Sequence, residues 1–344
     1  MIRKTDPRRV TLHDIAAQTG YSINTVSRAL RGMSDISEQT ATGIRQVARD
    51  MGYTVNQLAS SLRSGRTRVL GVVIGNISNP YFGILADAIQ DAAAARGYGV
   101  MILCSRENAE LELEMVESAV ARRVDGVLLF PTEFSARSVE RLRASQTPVV
   151  LMARRVDGVA ADSVVADEAE GARLATKHLI ERGGRKLAYL SNHDVVYSNR
   201  QRAQGFNRAC DEAGIPSAHR LVSVFDRDER RMALPERLLH IKEEGFDSLF
   251  VFCDEEAWHV IDALDRTEGL DPGDFRIASF DNLGGNLSYP IALCSVDCDY
   301  AEMARQGIEM LRLRIHRDER PAQTIVCATR LVCRGSCQIA ERLQ

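Results

Sequence analysis

Asn24 and Arg28 are the side chains whose type and spacing most suggest recognition of another molecule. They lie four residues apart in the segment INTVSRAL, where Val26, Ala29 and Leu30 form an apolar stripe. A helix here would bury that stripe and expose the two polar side chains. Arginine can donate two hydrogen bonds to guanine, and asparagine can make a paired contact with adenine. On an isolated helix the same pair would be ordinary solvated surface, so the surrounding elements decide between these alternatives.

Those elements predict a helix-turn-helix. Thr11 and Asp14 have the spacing of a capping box that starts a first helix, and Gly20 ends that helix. Ser22 can cap the second helix and Ser37 a third. Two short helices, a tight turn and a supporting helix form a unit that inserts its second helix into the major groove of DNA.

We therefore assign the leading face of the second helix to DNA. Recognition helices present their N-terminal residues to base edges. The hydroxyl groups of Ser22 and Thr25 are better suited to phosphates, which fix position rather than sequence. The predicted DNA-binding residues of this head are Thr11, Ser22, Ile23, Asn24, Thr25, Ser27 and Arg28.

Charge is unevenly distributed along the chain, although the net charge is only −3. Residues 1–68 carry 11 Lys and Arg against 5 Asp and Glu, whereas the remainder carries 33 against 42. A basic head on an acidic body indicates a polyanionic partner such as DNA. A solvated charged face would have the same composition, so charge alone leaves both alternatives open.

No catalytic or metal-binding spacing stands out in the rest of the sequence. It contains no Walker loop, no G-x-S-x-G and no H-E-x-x-H, so we expect neither an enzyme nor a bound cofactor. Cys294 and Cys298, like Cys333 and Cys337, have spacings that suggest metal ligands, but no histidine stands at a matching spacing. We interpret all eight cysteines as free thiols that serve as small apolar residues, and expect no metal.

The segment VTLHDIAAQTGYSINTVSRALRG and the following GYTVNQLASSLRSGRT resemble the LacI/GalR family of bacterial repressors. The resemblance continues into LGVVI and into NPYF at 79–82. It implies a hinge helix at 56–63 that folds on operator DNA, with Asn56 as a contact and Leu62 as an apolar wedge in the minor groove. Taken on its own, the hinge sequence is polar and would also fit a flexible linker.

From residue 69 onward, short apolar strands alternate with longer amphipathic helices. The predicted strands are 69–74, 99–104, 126–130, 149–152, 187–191, 249–252 and 276–280, and the predicted helices are 82–96, 110–123, 168–182, 202–213, 232–244 and 256–266. Such alternation predicts parallel sheets with helices on both faces. More than 270 residues favour two lobes, with a ligand in the cleft between them.

The resemblance extends to the sensor of that family, which is similar to periplasmic sugar-binding proteins, and it implies an effector site. Arg202 and Asp281 occupy matching positions, where charged hydrogen bonds suit hydroxyl-rich or carboxylated ligands. A structural ion pair would explain them equally well. Cys253 stands where the family usually has asparagine, which leaves the ligand's identity open. The other predicted effector-binding residues are Tyr81, Phe82, Arg200, Phe225 and Trp258, of which the Phe225 and Trp258 rings would suit a core role at least as well.

The predicted fold is thus a three-helix helix-turn-helix domain joined to a two-lobed α/β sensor of the periplasmic-binding-protein type. We place the DNA-binding domain at 1–55, the hinge at 56–68 and the effector-binding and dimerisation domain at 69–344, with lobe 1 at about 69–165 and 298–322 and lobe 2 at about 166–297 and 323–344.

The expected function is that of a cytoplasmic, homodimeric, ligand-controlled repressor, with pairing of dimers into tetramers left open. Its partners would be double-stranded operator DNA and a small-molecule effector, with no membrane. A solute-binding transport protein would share the body, but it would need a signal peptide, and the start MIRKTDPRRV has no apolar core. A sugar-converting enzyme would need a catalytic set that the sequence lacks.

Overall fold

The computed structural model describes residues 10–53, 65–191, 196–224, 230–285, 292–317 and 319–338. These form two compact units, which divide between Thr67 and Arg68. None of the helices in the described ranges is both long and apolar enough to cross a membrane.

Within residues 10–53, the first unit contains three helices: α1 (Leu12–Thr19), α2 (Ile23–Leu30) and α3 (Glu38–Asp50). The predicted caps are confirmed, because Thr11 and Asp14 form a reciprocal capping box and Ser22 and Ser37 cap the next two helices. Gly20 ends α1 in the left-handed region at φ 74°, a conformation that glycine adopts without strain. The buried residues of this small core are Ile15, Val26, Ala29, Ala41, Ile44 and Ala48.

The second unit contains two six-stranded sheets covered by helices. Its strands are β1 (Val69–Ile74), β2 (Gly99–Cys104), β3 (Gly126–Leu129), β4 (Val149–Met152), β5 (Asp162–Ala166), β6 (Leu187–Ser191), β7 (Arg220–Val224), β8 (Ser248–Val251), β9 (Arg276–Phe280), β10 (Cys294–Asp297), β11 (Thr324–Cys327) and β12 (Arg330–Val332). Its α-helices are α4 (Pro80–Ala94), α5 (Ala109–Ala121), α6 (Ala136–Ala144), α7 (Glu168–Glu181), α8 (Tyr197–Glu212), α9 (Arg230–Glu243), α10 (Asp254–Arg266) and α11 (Tyr300–Ile315).

The strand orders are β11-β5-β4-β3-β1-β2 in the first lobe and β12-β10-β9-β8-β6-β7 in the second. Every strand pair is parallel except β10 with β12, which is antiparallel. Apolar side chains on both faces of the strands explain why β1, β3, β8 and β9 are almost wholly buried. The predicted two-lobed α/β architecture is confirmed.

The chain returns to each lobe near its end, but not at the predicted boundary. β11 pairs with β5 in the first sheet, so residues 324–327 belong to lobe 1, whereas the sequence placed 323–344 in lobe 2. β12 pairs with β10 in the second sheet, and the Ser336 carbonyl oxygen accepts from the Ile277 N–H group of β9. The reason is physical: both are short edge strands, and their few apolar residues carry no pattern that assigns them to a sheet.

Helices α7 and α8 approach each other closely, and Gly205 on α8 permits this. A Cβ atom at position 205 would lie 2.0 Å from the Ala169 carbonyl oxygen and 2.9 Å from the Ala172 Cβ atom. The close approach brings Arg202 of α8 beside Glu168, the first residue of α7. The site described below therefore depends on a helix contact that only glycine allows.

We expect Gly205→Ala to destabilise the protein by about 1–3 kcal/mol, because the added methyl group must displace backbone atoms of α7. In a helix without this contact, the same exchange would stabilise the protein by up to about 1 kcal/mol. A loss of stability therefore indicates the close approach of the two helices. Gly83→Ala in α4 is the matched control, since a Cβ atom there meets nothing within 4 Å. Thermal unfolding of both variants measures the difference. A Gly205→Ala variant as stable as the wild type would contradict the close helix approach.

Candidate functional site

The leading end of α2 is an exposed surface of the first unit. The Ser22 hydroxyl accepts a hydrogen bond from the Thr25 N–H group at 3.1 Å, and the two hydroxyls lie 2.9 Å apart. Asn24 is exposed, and Ile23 is 44% exposed. Tyr21, which the sequence analysis did not select, is 45% exposed beside them. Such a mixture of amide, hydroxyl and apolar groups is suited to base edges and thymine methyl groups.

Two other predicted contact residues are less available than expected. The prediction that Ser27 is exposed is wrong, because its side chain is buried at 7% exposure. Ser27 directly follows Val26 and lies three residues before Leu30, so it flanks the apolar stripe and its small side chain is covered. Thr11 is exposed, but its hydroxyl donates to the Asp14 carboxylate at 2.7 Å within the cap of α1.

Arg28 is held by Asp35 within the first unit. The Nε atom of Arg28 donates to Asp35 Oδ1 at 3.2 Å, and Nη2 donates to Oδ2. This hydrogen bonding lowers the pKa of the Asp35 carboxyl group. Since the two side chains remain 36% and 49% exposed, the pair is of the kind that contributes little to stability. The guanidinium group can therefore exchange Asp35 for another acceptor at small cost.

The basic charge of the head does not come from its folded helices. Residues 10–53 carry four arginines and four acidic residues, so this part is electrically balanced. The excess lies in residues 1–9 and 54–68, and the latter contains three arginines and no acid. Asn56 and Leu62, predicted from the resemblance, fall within 54–64, outside the described residues, and remain predictions.

The second unit has a pocket between its two lobes, at the carboxyl ends of parallel strands. This is the position at which open α/β sheets bind ligands. The cavity volume is about 50 Å³, room for a few water molecules, so a sugar-sized ligand would require the pocket to widen. The lining residues are Asn79, Tyr81, Phe82, Glu107, Phe130, Ala153, Arg154, Glu168, Ser198, Arg202, Phe252, Cys253 and Asp281.

Arg202 is the centre of this pocket, with only 4% of its surface exposed. Its Nε atom donates to Glu168 Oε2 at 2.7 Å, and its Nη2 atom donates to Asp281 Oδ1 at 3.4 Å. The Nη1 atom donates to the Phe252 carbonyl oxygen. The guanidinium plane lies over the Phe280 ring, 3.7 Å from its centroid. Arg202 thus combines two charged hydrogen bonds with a cation–π contact.

Burial shifts the ionisation of this group of charges. Burial raises the pKa of Asp281 to about 7, against the opposing effect of the Arg202 charge. Burial also raises the pKa of Glu168, again opposed by Arg202. For Arg202, burial alone would lower the pKa, but Glu168 and Asp281 outweigh it and the net pKa is raised. The arginine stays charged while both carboxylates are less acidic than in water.

The first lobe contributes an amide and aromatic rings to the pocket. The side-chain Oδ1 atom of Asn79 caps α4 by accepting from the Tyr81 N–H group at 2.9 Å. Its Nδ2 atom donates across the cleft to Glu255 Oε2 of the second lobe at 2.7 Å. Tyr81 and Phe82, which are predicted to bind the effector, both line the pocket, and the Phe82 ring packs edge-on against Phe130 with centroids 5.7 Å apart.

A second ion pair lines the wall of the first lobe. Arg154 Nη1 donates to Glu107 Oε2 at 2.7 Å, and the side chains are 14% and 16% exposed. These two residues, like Glu168 and Ser198, are not among the effector-binding residues predicted from the sequence. A usable signal was present, because Glu107, Arg154 and Glu168 each follow a strand by two or three residues. Charged residues at that position lie at the ligand edge of a parallel sheet.

The remaining predicted effector residues are not all brought together. Cys253 is buried and lines the pocket next to Asp281. Arg200 lies in a neighbouring depression at the cleft and pairs with Asp157 of the first lobe at 2.9 Å. Trp258 has the core role that the sequence left open: the first turn of α10 separates it from the strand end, and its ring packs on the hydrophobic core of the second lobe. Phe225 lies outside the described residues.

Three known sequence families match parts of the chain. Residues 11–56 match the family described as bacterial regulatory proteins, lacI family. Residues 67–239 match the periplasmic binding proteins and sugar binding domain of LacI family, and residues 176–337 match the periplasmic binding protein-like domain.

Similar individual proteins cover most of the chain. Catabolite control protein A of Priestia megaterium is 31% identical over 277 residues, which cover 79% of this chain and 82% of that protein. The HTH-type transcriptional repressor PurR of Actinobacillus pleuropneumoniae serotype 3 (strain JL03) is 26% identical over 330 residues, covering 95% and 98%. The solved structure of the Lac repressor dimer bound to operator and the anti-inducer ONPF superposes with a TM-score of 0.80 at 20% identity, covering 96% and 100%, a likeness of fold.

The raised pKa of Asp281 predicts a stability that depends on pH. The unfolded chain releases this proton near pH 4, whereas the folded protein retains it up to about pH 7. The folded state therefore binds more protons in this interval, and the free energy of unfolding should fall as the pH rises through it. We expect Asp281→Asn, which cannot ionise, to gain stability relative to the wild type between about pH 5 and about pH 8.

Thermal unfolding at several pH values measures this effect. Glu117→Gln is the control, because Glu117 is exposed and its hydrogen bond to Arg141 lowers its pKa, so it should not alter the slope in this interval. If the free energy of unfolding of Asp281→Asn falls with pH as steeply as that of the wild type, Asp281 does not have the raised pKa.

Proposed function

The chain belongs to the LacI family of bacterial regulatory proteins, and on this basis we propose that it is a homodimeric repressor controlled by a neutral sugar. In this proposal α2 recognises operator DNA, and the cleft around Arg202 binds the effector. The observation that carries the proposal is one chain that joins an exposed recognition helix to a buried pocket whose charges are compensated. Because its target is chromosomal DNA, we place the protein in the cytoplasm.

The recognition of bases rests on the exposed side chains of α2. Asn24 is exposed, and Arg28 is held only by an exposed ion pair that bases can replace. One such helix contacts only a few base pairs, so two copies related by a twofold axis would be needed to recognise an extended palindrome. This requirement, together with the Lac repressor dimer that binds operator, supports a homodimer.

We expect Asn24→Ala and Arg28→Ala each to weaken binding to the operator by about 1–3 kcal/mol, because each removes a paired contact to a base. Binding to random DNA should change little. Arg45→Ala on α3 is the charge-matched control, since Arg45 is also an exposed arginine in an ion pair, with Glu38. Titrations on operator and random DNA measure both affinities. An equal loss on both DNAs would leave only phosphate contacts for these residues.

The pocket favours a neutral effector because both of its guanidinium groups are already paired with carboxyl groups. Its two guanidinium groups, on Arg202 and Arg154, face three carboxyl groups, on Glu168, Asp281 and Glu107. An anionic sugar phosphate or sugar acid would add negative charge where these pairs leave no cationic excess. A neutral sugar would instead donate hydroxyl hydrogen bonds to the carboxylates.

Aromatic side chains add an apolar wall to the same pocket. Phe82, Phe130 and Phe252 line it beside the charged groups. A few oriented polar groups set among apolar side chains are typical of small-molecule sites. A sugar ring presents the matching combination, because its C–H faces are apolar and its rim of hydroxyls is polar. This supports a sugar over a uniformly polar metabolite.

Effector binding in the cleft can change the arrangement of the two lobes, because polar contacts join them. Asn79 donates to Glu255 across the cleft, and the Tyr300 hydroxyl of the first lobe donates to the Asp281 carbonyl oxygen of the second. A ligand that widens the pocket would shift the population between lobe arrangements by its difference in affinity for them. In the proposal, this shift reaches the operator through the hinge at 56–68, with Leu62 as its wedge.

We expect a screen of sugars by thermal shift to identify a neutral sugar that stabilises the protein, while its phosphorylated and carboxylated derivatives do not. A ligand at about 100 times its Kd adds about 2.7 kcal/mol to the free energy of unfolding. At about pH 8, above the Asp281 pKa of about 7, Asp281→Asn should weaken the affinity for that sugar at least about tenfold, because a charged acceptor is lost. Trp258→Phe, in the core, should leave the affinity unchanged. Binding of anionic derivatives alone, or undiminished binding by Asp281→Asn, would contradict the proposal.

A further inference from the structure

Four potential metal ligands meet at the opposite end of the second lobe from the pocket. His178 lies near the end of α7, Cys294 begins β10, and Cys333 and Cys337 follow β12. One ligand atom from each residue lies within 4.8 Å of all the others. The sulfur atoms of Cys294 and Cys333 are 3.4 Å apart, and those of Cys333 and Cys337 are 3.6 Å apart.

These separations are close to those of a tetrahedral zinc site. With zinc–sulfur bonds of about 2.3 Å, tetrahedral geometry places two thiolate sulfurs about 3.8 Å apart. Three cysteines and one histidine form a donor set that structural zinc sites use. We propose that Cys294, Cys333, Cys337 and His178 bind one zinc ion, which fastens the C-terminal segment to the second lobe.

The turn that carries two of the ligands is fixed in place by other contacts. The Ser336 hydroxyl accepts from the Cys294 N–H group at 2.7 Å and donates to the Ile277 carbonyl oxygen at 2.6 Å. The Arg334 N–H group donates to the Cys294 sulfur at 3.3 Å, a contact that stabilises a thiolate. Gly335, at φ +97°, permits the sharp turn between the two cysteines. The ligands are therefore positioned by the protein and not only by their proximity.

His178 supplies a second, independent observation. Its Nε2 atom is buried and makes no hydrogen bond of normal geometry within the described ranges, and its polar neighbour is the Cys294 thiol, whose pKa this contact lowers. A buried polar atom left in this state costs about 1–3 kcal/mol. A metal ion among the ligands would give the imidazole ring a partner.

A disulfide is the competing interpretation of such close thiols. A disulfide would use two of the three sulfurs and would account for neither the third thiol nor the imidazole. Four protein ligands leave no position for water or substrate, so the zinc ion would have a structural role. Binding would release thiol protons to solvent, and it would join α7, β10 and the segment after β12.

The test is metal titration of the full-length protein, reduced and stripped with a chelator. We expect Co²⁺ to bind at one ion per chain, with the intense visible absorption of tetrahedral thiolate coordination, and Zn²⁺ to displace it. Cys333→Ser removes the one exposed ligand, so this variant should fold, and it should bind cobalt at least about tenfold more weakly. Cys104→Ser, in the first lobe, is the matched control and should bind like the wild type.

Two further measurements make the result decisive. Zinc analysis of protein purified without chelator should give one zinc per chain, and His178→Gln should lose it. A folded wild-type protein without the cobalt spectrum would overturn the proposal, as would unchanged affinity in Cys333→Ser. A Cys294–Cys333 disulfide found by mass spectrometry in metal-free protein purified without reductant would also overturn it.

Discussion

The buried guanidinium group of Arg202 is the constraint on which the arrangement of the second unit depends. A buried charge is costly unless it is paired and fully hydrogen-bonded. Arg202 meets that condition only where the start of α7 and the ends of β8 and β9 converge, because these supply Glu168, the Phe252 carbonyl and Asp281. Loss of any of these partners would leave a charge buried in an apolar setting. The same condition makes the close approach of α8 to α7 at Gly205 necessary.

The backbone at the end of β9 is held in an unusual conformation next to this charge. Asp281 and Asn282 both have positive φ values, 96° and 50°. The Asn282 N–H group donates to the Ser295 hydroxyl at 2.9 Å, and its side-chain oxygen accepts from Arg334 at 2.6 Å. Strained backbone persists where surrounding contacts over-determine it. Since Arg334 also donates to Cys294, the turn that carries the cysteines helps to position the acid of the pocket.

The features that the sequence predicts correctly are those formed by residues close to one another along the chain. The caps at Thr11, Ser22 and Ser37 are local hydrogen bonds, and the seven predicted strands are continuous, mostly apolar runs; all are present in the structure. Edge strands such as β11 carry little apolar pattern, and their sheet is fixed by tertiary pairing. The cysteine–histidine cluster was missed because His178 lies more than a hundred residues before Cys294. Spacing rules for metal sites assume ligands that are close in sequence.

The distribution of charge in the head limits how a sensor can control it. Residues 10–53 are electrically balanced, so the attraction to phosphates that dominates DNA affinity must come mainly from 1–9 and 54–68. The second of these segments leads directly into β1 of the sensor. A lobe rearrangement that moves the start of β1 therefore acts on the segment that supplies phosphate affinity, while Asn24 and Arg28 keep their positions on α2. In the proposed mechanism, the effector would change the affinity for all DNA, and α2 would determine which sequence is bound with the affinity that remains.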